Sequence, residues 1–122
     1  MKEYHDSIVQ GYPEIVKEEV ILKYTRLRFT LFIEWQKGEP LQWWADYNTV
    51  KHHRTENFQK ANVRNLLESI SALHVAVTYY YLTYFRVRIK EQIRINHVIE
   101  LFDPKPDFIR FTNASYYYHL VG

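Results

Sequence analysis

Asn48, Lys51, His52 and Arg54 crowd into one short stretch, just after two adjacent tryptophans in the run Leu41 to Arg54, LQWWADYNTVKHHR. On a helix, successive side chains turn by about 100°. Asn48 and Lys51 are then three apart and Asn48 and His52 four apart, so these three converge on one spot. Trp43, Tyr47, Val50 and Arg54 fall close together on the adjoining sector, and His53 points nearly opposite. Lys and Arg supply fixed positive charge, and a guanidinium can grip two phosphate oxygens at once. His52 can act as a general acid or base near neutral pH. The stretch is therefore a candidate site for a phosphate or a nucleic-acid backbone. Its binding residues would be Tyr47, Asn48, Lys51, His52 and Arg54, and its catalytic candidates His52 and Arg54. The plainer alternative is an amphipathic helix whose aromatic face packs and whose polar tip is solvated. On composition and spacing alone the plainer alternative has more weight, because short motifs recur by chance.

Other chemistries lack their residues. Neighbouring histidines diverge on a helix, so His52 and His53 are poor joint metal ligands. There is no H-E-x-x-H pattern and no cysteine, so neither a metal nor a disulfide is expected. Glycines occur only at 11, 38 and 122, which leaves no Gly-rich phosphate loop and no G-x-S-x-G elbow. No cofactor is expected. His74 sits on an apolar helical face and is expected to be a core histidine with a hydrogen-bond partner. The runs Tyr79 to Tyr81 and Tyr116 to Tyr118 can stack on bases, but such residues more often serve core or interface.

The elements that must position these groups follow from pattern. The 122 residues suit one domain, 1–122. Aromatic residues reach 17%, a share suited to half-buried surfaces and interfaces. A formal net charge of +2 is too small to argue for nucleic acid by bulk charge. The first residues lack the apolar core of a signal peptide. The long uncharged run from Ser69 to Phe85 is short for a membrane span, so no membrane association is expected. With no cysteine, a cytoplasmic location is expected.

No firm pattern marks residues 1–12. Pro13 can open a short helix. Alternation of apolar and polar residues then predicts a strand over about 24–34. The run 36–40 is a turn, and Pro40 leads into a helix over about 41–54. From Val63 to about residue 90 the period is helical. Val63, Leu66, Leu67, Ile70, Leu73, His74, Val77, Tyr80, Tyr81, Tyr84 and Phe85 share one face, which is expected to pack. Further along, the opposite face carries Ala72, Val75, Ala76, Tyr79 and Leu82, so the second half is apolar nearly all round and is expected to be buried on two sides. Ala72 and Ala76 would let another helix approach closely. Residues 86–102 suit helix or strand. The sequence breaks at 103–106, and a last strand is expected at 108–112, paired with 24–34.

The run Trp43-Trp44-x-x-Tyr47-Asn48-x-Val50-Lys51-His52-x-Arg54 resembles a segment of uncharacterised bacterial members related to the HEPN superfamily. Phe58, Ala61-Asn62 and the apolar helix from Val63 follow in the same order, and Phe32, Trp35 and Gly38 precede it similarly. The resemblance covers about residues 29–85. It implies a mainly α fold, an up-and-down helical bundle with a small added β-hairpin or strand pair. It also implies a homodimer that engages RNA, a nucleotide or a partner protein in a bacterial defence or toxin-type system. Many members are metal-independent ribonucleases whose Arg and His are separated by four to six residues. No arginine here precedes a histidine at that spacing, so no catalytic pair is carried over. The alternatives are a divergent ribonuclease using His52 and Arg54 and a purely structural dimerisation module.

Overall fold

The computed structural model describes residues 2–52, 63–90 and 92–120. Four α-helices dominate the described residues: α1 (Lys2–Gly11), α2 (Gln42–His52), α3 (Val63–Val87) and α4 (Ile95–Phe102). Three short strands accompany them: β1 (Val20–Leu22), β2 (Arg28–Phe29) and β3 (Ile109–Phe111). The chain forms two compact units, one of Met1–Glu18 with Phe29–Ala72 and one of Glu19–Arg28 with Leu73–Gly122. The long helix α3 runs on from the first into the second.

In the first unit, Pro13 opens a single 3-10 turn at Pro13–Lys17, where its missing N–H leaves nothing unsatisfied. Ile15 and Val16 on that turn are buried, as are Phe29, Leu31, Phe32, Trp35 and Leu41. A second 3-10 turn, Ile33–Lys37, ends at Gly38 in the left-handed region with φ 68°. A side chain there would be strained, and glycine closes the turn freely. Glu34 then reaches forward, and its Oε1 accepts the amide of Gln42 at 3.4 Å. A carboxylate beside the first amides of α2 satisfies a donor the helix cannot and suits its positive end.

The second unit is built on a sheet of order β2-β1-β3. β1 and β3 are antiparallel, with Val20 opposite Phe111 and Leu22 opposite Ile109. All four of those side chains are buried, while Arg110 between them is exposed. That is the period-two burial of a sheet with one face on a core. The Phe111 amide points away from β1, and the Tyr117 hydroxyl accepts its hydrogen bond at 2.8 Å. The free edge of β3 is thereby closed by a side chain. Val75, Tyr79 and Leu82 of α3 and Val98 and Ile99 of α4 complete the buried set.

Three expectations change. The continuous strand over 24–34 is replaced by β1 and β2 around a tight reversal. Leu22 both donates to the Leu27 carbonyl at 2.9 Å and accepts from Thr25 and Arg26. The Thr25 hydroxyl accepts the Leu27 amide, and Arg26 holds φ 59°. Local side-chain bonding thus breaks an alternation that looked continuous. The last strand, expected at 108–112 against 24–34, forms at Ile109–Phe111 and pairs with residues 20–22. The ambiguous 86–102 resolves into the end of α3, a break with Lys90 at φ 58°, and α4. The mainly helical expectation holds for the described residues, with a three-stranded sheet rather than a strand pair.

The largest change concerns α3. Its buried side is Ser71, Ala72, Val75, Thr78, Tyr79 and Leu82. Of the two sides expected to be buried, the one carrying Ala72, Val75, Tyr79 and Leu82 is covered; on the other, Val63, Leu66, Ile70, Leu73, Val77, Tyr80 and Tyr84 are exposed and Leu67, His74, Tyr81 and Phe85 are half-buried. Ala76, expected to admit a close helix, is also exposed.

Candidate functional site

The α2 constellation comes first. Trp43 fixes this helix: its indole Nε1 donates to the Leu31 carbonyl at 2.9 Å, and its ring meets Phe32 edge-on at 6.2 Å. Tyr47, Asn48, Lys51 and His52 all lie on α2. Asn48 is half-buried. The side chains of Tyr47, Lys51 and His52 lie outside the described residues, as does Arg54 altogether, so their convergence rests on helical spacing. Among the described residues no group of His, Cys, Asp and Glu could hold a metal ion. No helix among them is long and apolar enough to cross a membrane.

A second feature was not singled out from the sequence. In the second unit, α3 and α4 enclose a groove of about 260 Å³. Helical spacing places His74, Val77, Thr78 and Tyr81 along one wall. Val98, Ile99 and Phe102 of α4 form the other, with Asp103 just past its end. The rings of Tyr81 and Phe102 lie 4.5 Å apart at a shallow 32°. The Thr78 hydroxyl is engaged with the His74 carbonyl of its own helix at 2.8 Å.

Two titratable groups of the groove, His74 and Asp103, are displaced from their ordinary behaviour. Burial pushes the His74 imidazole below the usual histidine value, against an opposing pull from Asp103. Burial pushes the Asp103 carboxyl up, His74 pulls it down, and Asp107 adds to the rise. The His74 ring lies against Phe111 with centroids 5.5 Å apart. Its expected hydrogen-bond partner is not found among the described residues; a half-buried ring open to the groove takes its place. The spacing of His74, Thr78 and Tyr81 was visible in the sequence. Their meeting with Asp103, a residue marked only as a break, required the helix pairing.

The third feature is the outward ridge of α3. Val63, Leu66, Ile70, Leu73, Val77, Tyr80, Tyr84 and Val87 each expose 40 to 70% of their surface. Their spacing alternates strictly between three and four residues, the repeat by which one helix seats side chains into another. Between Glu68 and Arg86 the helix carries no charged Asp, Glu, Lys or Arg. Ser69, Ala76 and Thr83 flank the ridge on one side, and His74 and Tyr81 on the other.

Comparison with known proteins supplies no relative: no family model, no curated protein and no solved structure matches the chain.

Proposed function

We propose that this chain is a helical binding domain that works by self-association, its partner a second copy seated on the α3 ridge. The observation that carries the reading is the exposed, uncharged three-four repeat along α3. The ridge side chains together expose on the order of 800 Å², the share that each partner brings to a standard protein interface. Single exposed apolar residues need no explanation, but a contiguous patch of this size marks an interaction surface. A repeat with one spacing throughout is complementary to itself, so two copies satisfy each other without a second kind of surface. The HEPN-like resemblance of residues 29–85 points the same way.

The test is the mass in solution. Sedimentation at micromolar concentration is expected to give a dimer for the unaltered chain and a monomer for Leu73→Glu and Tyr80→Glu. Both positions are exposed in a single copy, so each variant should keep its helical circular dichroism. A monomeric unaltered chain would end the reading. The nuclease alternative has its own assay, labelled RNA in EDTA. Cleavage there that is lost in His52→Ala would put a ribonuclease in place of a dimerisation module.

A further inference from the structure

The groove between α3 and α4 shares Val77 with the ridge but adds a polar end that the ridge lacks. Its walls are apolar and aromatic: Val77, Val98 and Ile99 with the rings of Tyr81 and Phe102. Its polar groups gather at one end, where Asp103 and His74 stand. A concave apolar site with a few convergent polar groups is the usual form of a small-molecule site.

The sign of the charge it favours follows from five observations. Asp103 carries no ion pair with Lys or Arg among the described residues. It caps the C-terminal end of α4, where its amide donates to the Ile99 carbonyl at 2.7 Å. The last carbonyls of a helix give that end partial negative charge. Asp107 adds further negative charge nearby. The Tyr81 and Phe102 rings stack on each other at 4.5 Å and line the groove, an aromatic surface beside which a cation is well placed. His74, its protonated form disfavoured by burial, offers ring nitrogens without competing as a cation.

We propose that the α3–α4 groove binds a small protonated amine carried on a short apolar or aromatic body, with the ammonium on Asp103 and the body against Val98, Ile99 and the stacked rings of Tyr81 and Phe102. The ammonium would form a charge-assisted hydrogen bond with the Asp103 carboxylate. The groove volume limits the body to about one ring or a short aliphatic chain, below the usual drug-sized range. Affinity for so few atoms falls in the millimolar to high-micromolar range.

The experiment is an amide NMR titration at neutral pH with three probes of one shape: phenethylamine, 2-phenylethanol and phenylacetate. Phenethylamine is expected to saturate, moving signals of residues 74–81 and 98–103. It should bind about tenfold tighter than the neutral alcohol, equivalent to about 1.4 kcal/mol. Phenylacetate should bind more weakly than either. In Asp103→Asn the advantage of the amine over the alcohol should disappear. Equal binding of all three probes, tighter binding of the anion, or no saturation at millimolar concentration would overturn the proposal. So would an amine preference that survives in a folded Asp103→Asn. The ranking on the unaltered chain needs no variant, so it decides the matter even if Asp103→Asn does not fold. The groove shares Val77 with the ridge, but the titration reads a ranking of ligands and sedimentation reads mass, so either reading can fail while the other stands.

Discussion

Two histidines show how burial and hydrogen bonding pull a side chain in opposite directions. His5 has an acceptor at each ring nitrogen, Asp6 at 2.8 Å and the Trp35 carbonyl at 3.1 Å. Only the imidazolium can donate to both, so its pKa is raised, by the Asp6 bond first and the Trp35 carbonyl second. The stability it lends is complete below its unfolded value, near 6.5, and is lost as pH rises through the folded value. His74 has the opposite sign. Its folded pKa is lowered by burial, so unfolding takes up a proton, and stability falls as pH drops below about 6.5. Thermal melts across that range should therefore flatten on the acid side in His74→Gln and on the alkaline side in His5→Gln. His5 is paired at the surface, so its effect should be the smaller and should weaken with salt. Tyr117 offers a sharper test. Tyr117→Phe keeps the ring but leaves the Phe111 amide at the β3 edge without its acceptor. A loss of roughly 1–3 kcal/mol in urea unfolding is expected; no loss would mean that the hydroxyl does not hold that edge.

At the scale of elements, α3 decides most of what the chain can do. Two copies can cross parallel or antiparallel, and the ridge distinguishes them. Antiparallel pairing about residue 75 sets Leu66 against Tyr84 and Ile70 against Tyr80, so each aromatic meets an aliphatic. Parallel pairing stacks Tyr80 on Tyr80 and also aligns the two helix dipoles, which is unfavourable. Because the chain has no cysteine, introduced thiols report alone. Mixed Leu66→Cys and Tyr84→Cys proteins should form a disulfide with each other on mild oxidation, and Leu66→Cys should not pair with itself. The reverse pattern would establish the parallel arrangement. The bounds of this helix were legible in the sequence, since the 3.6-residue period begins at Val63 and Lys90 lies just past the observed end. α2 and β3 were legible for similar reasons: Pro40 before one, and Asp103 to Pro106 before the other. The inward face of α3 was legible only as one of two apolar faces expected to be covered. Both faces are apolar, and period alone does not say which of Leu73 or Val75 is covered. The α1 helix was missed because its few apolar residues give no strong period. The turn at 22–27 was missed because Arg26, not Gly or Asn, holds its left-handed position.

Across the whole chain, the site foreseen and the sites found differ in kind. The α2 constellation was read from neighbours in sequence, and a helix brings such neighbours together on its own. Of its members, Asn48 is half-buried on α2. The groove joins His74 of α3 to Asp103 at the end of α4. No local rule connects residues so far apart, and sequence reasoning gave each a purely structural part. The ridge was visible as a pattern and misassigned as core, because a buried stripe and a docking stripe obey the same period. That exposed stripe makes stability a matter of mass action. A surface that is covered only when two chains meet stabilises the folded form in proportion to how often they meet. The midpoint of thermal unfolding should climb with each tenfold increase in protein concentration, and that climb should vanish in Leu73→Glu. Cells holding this chain at low abundance would then keep a less resilient protein than cells holding it at high abundance. Its copy number would set its lifetime against proteolysis as well as its state of assembly.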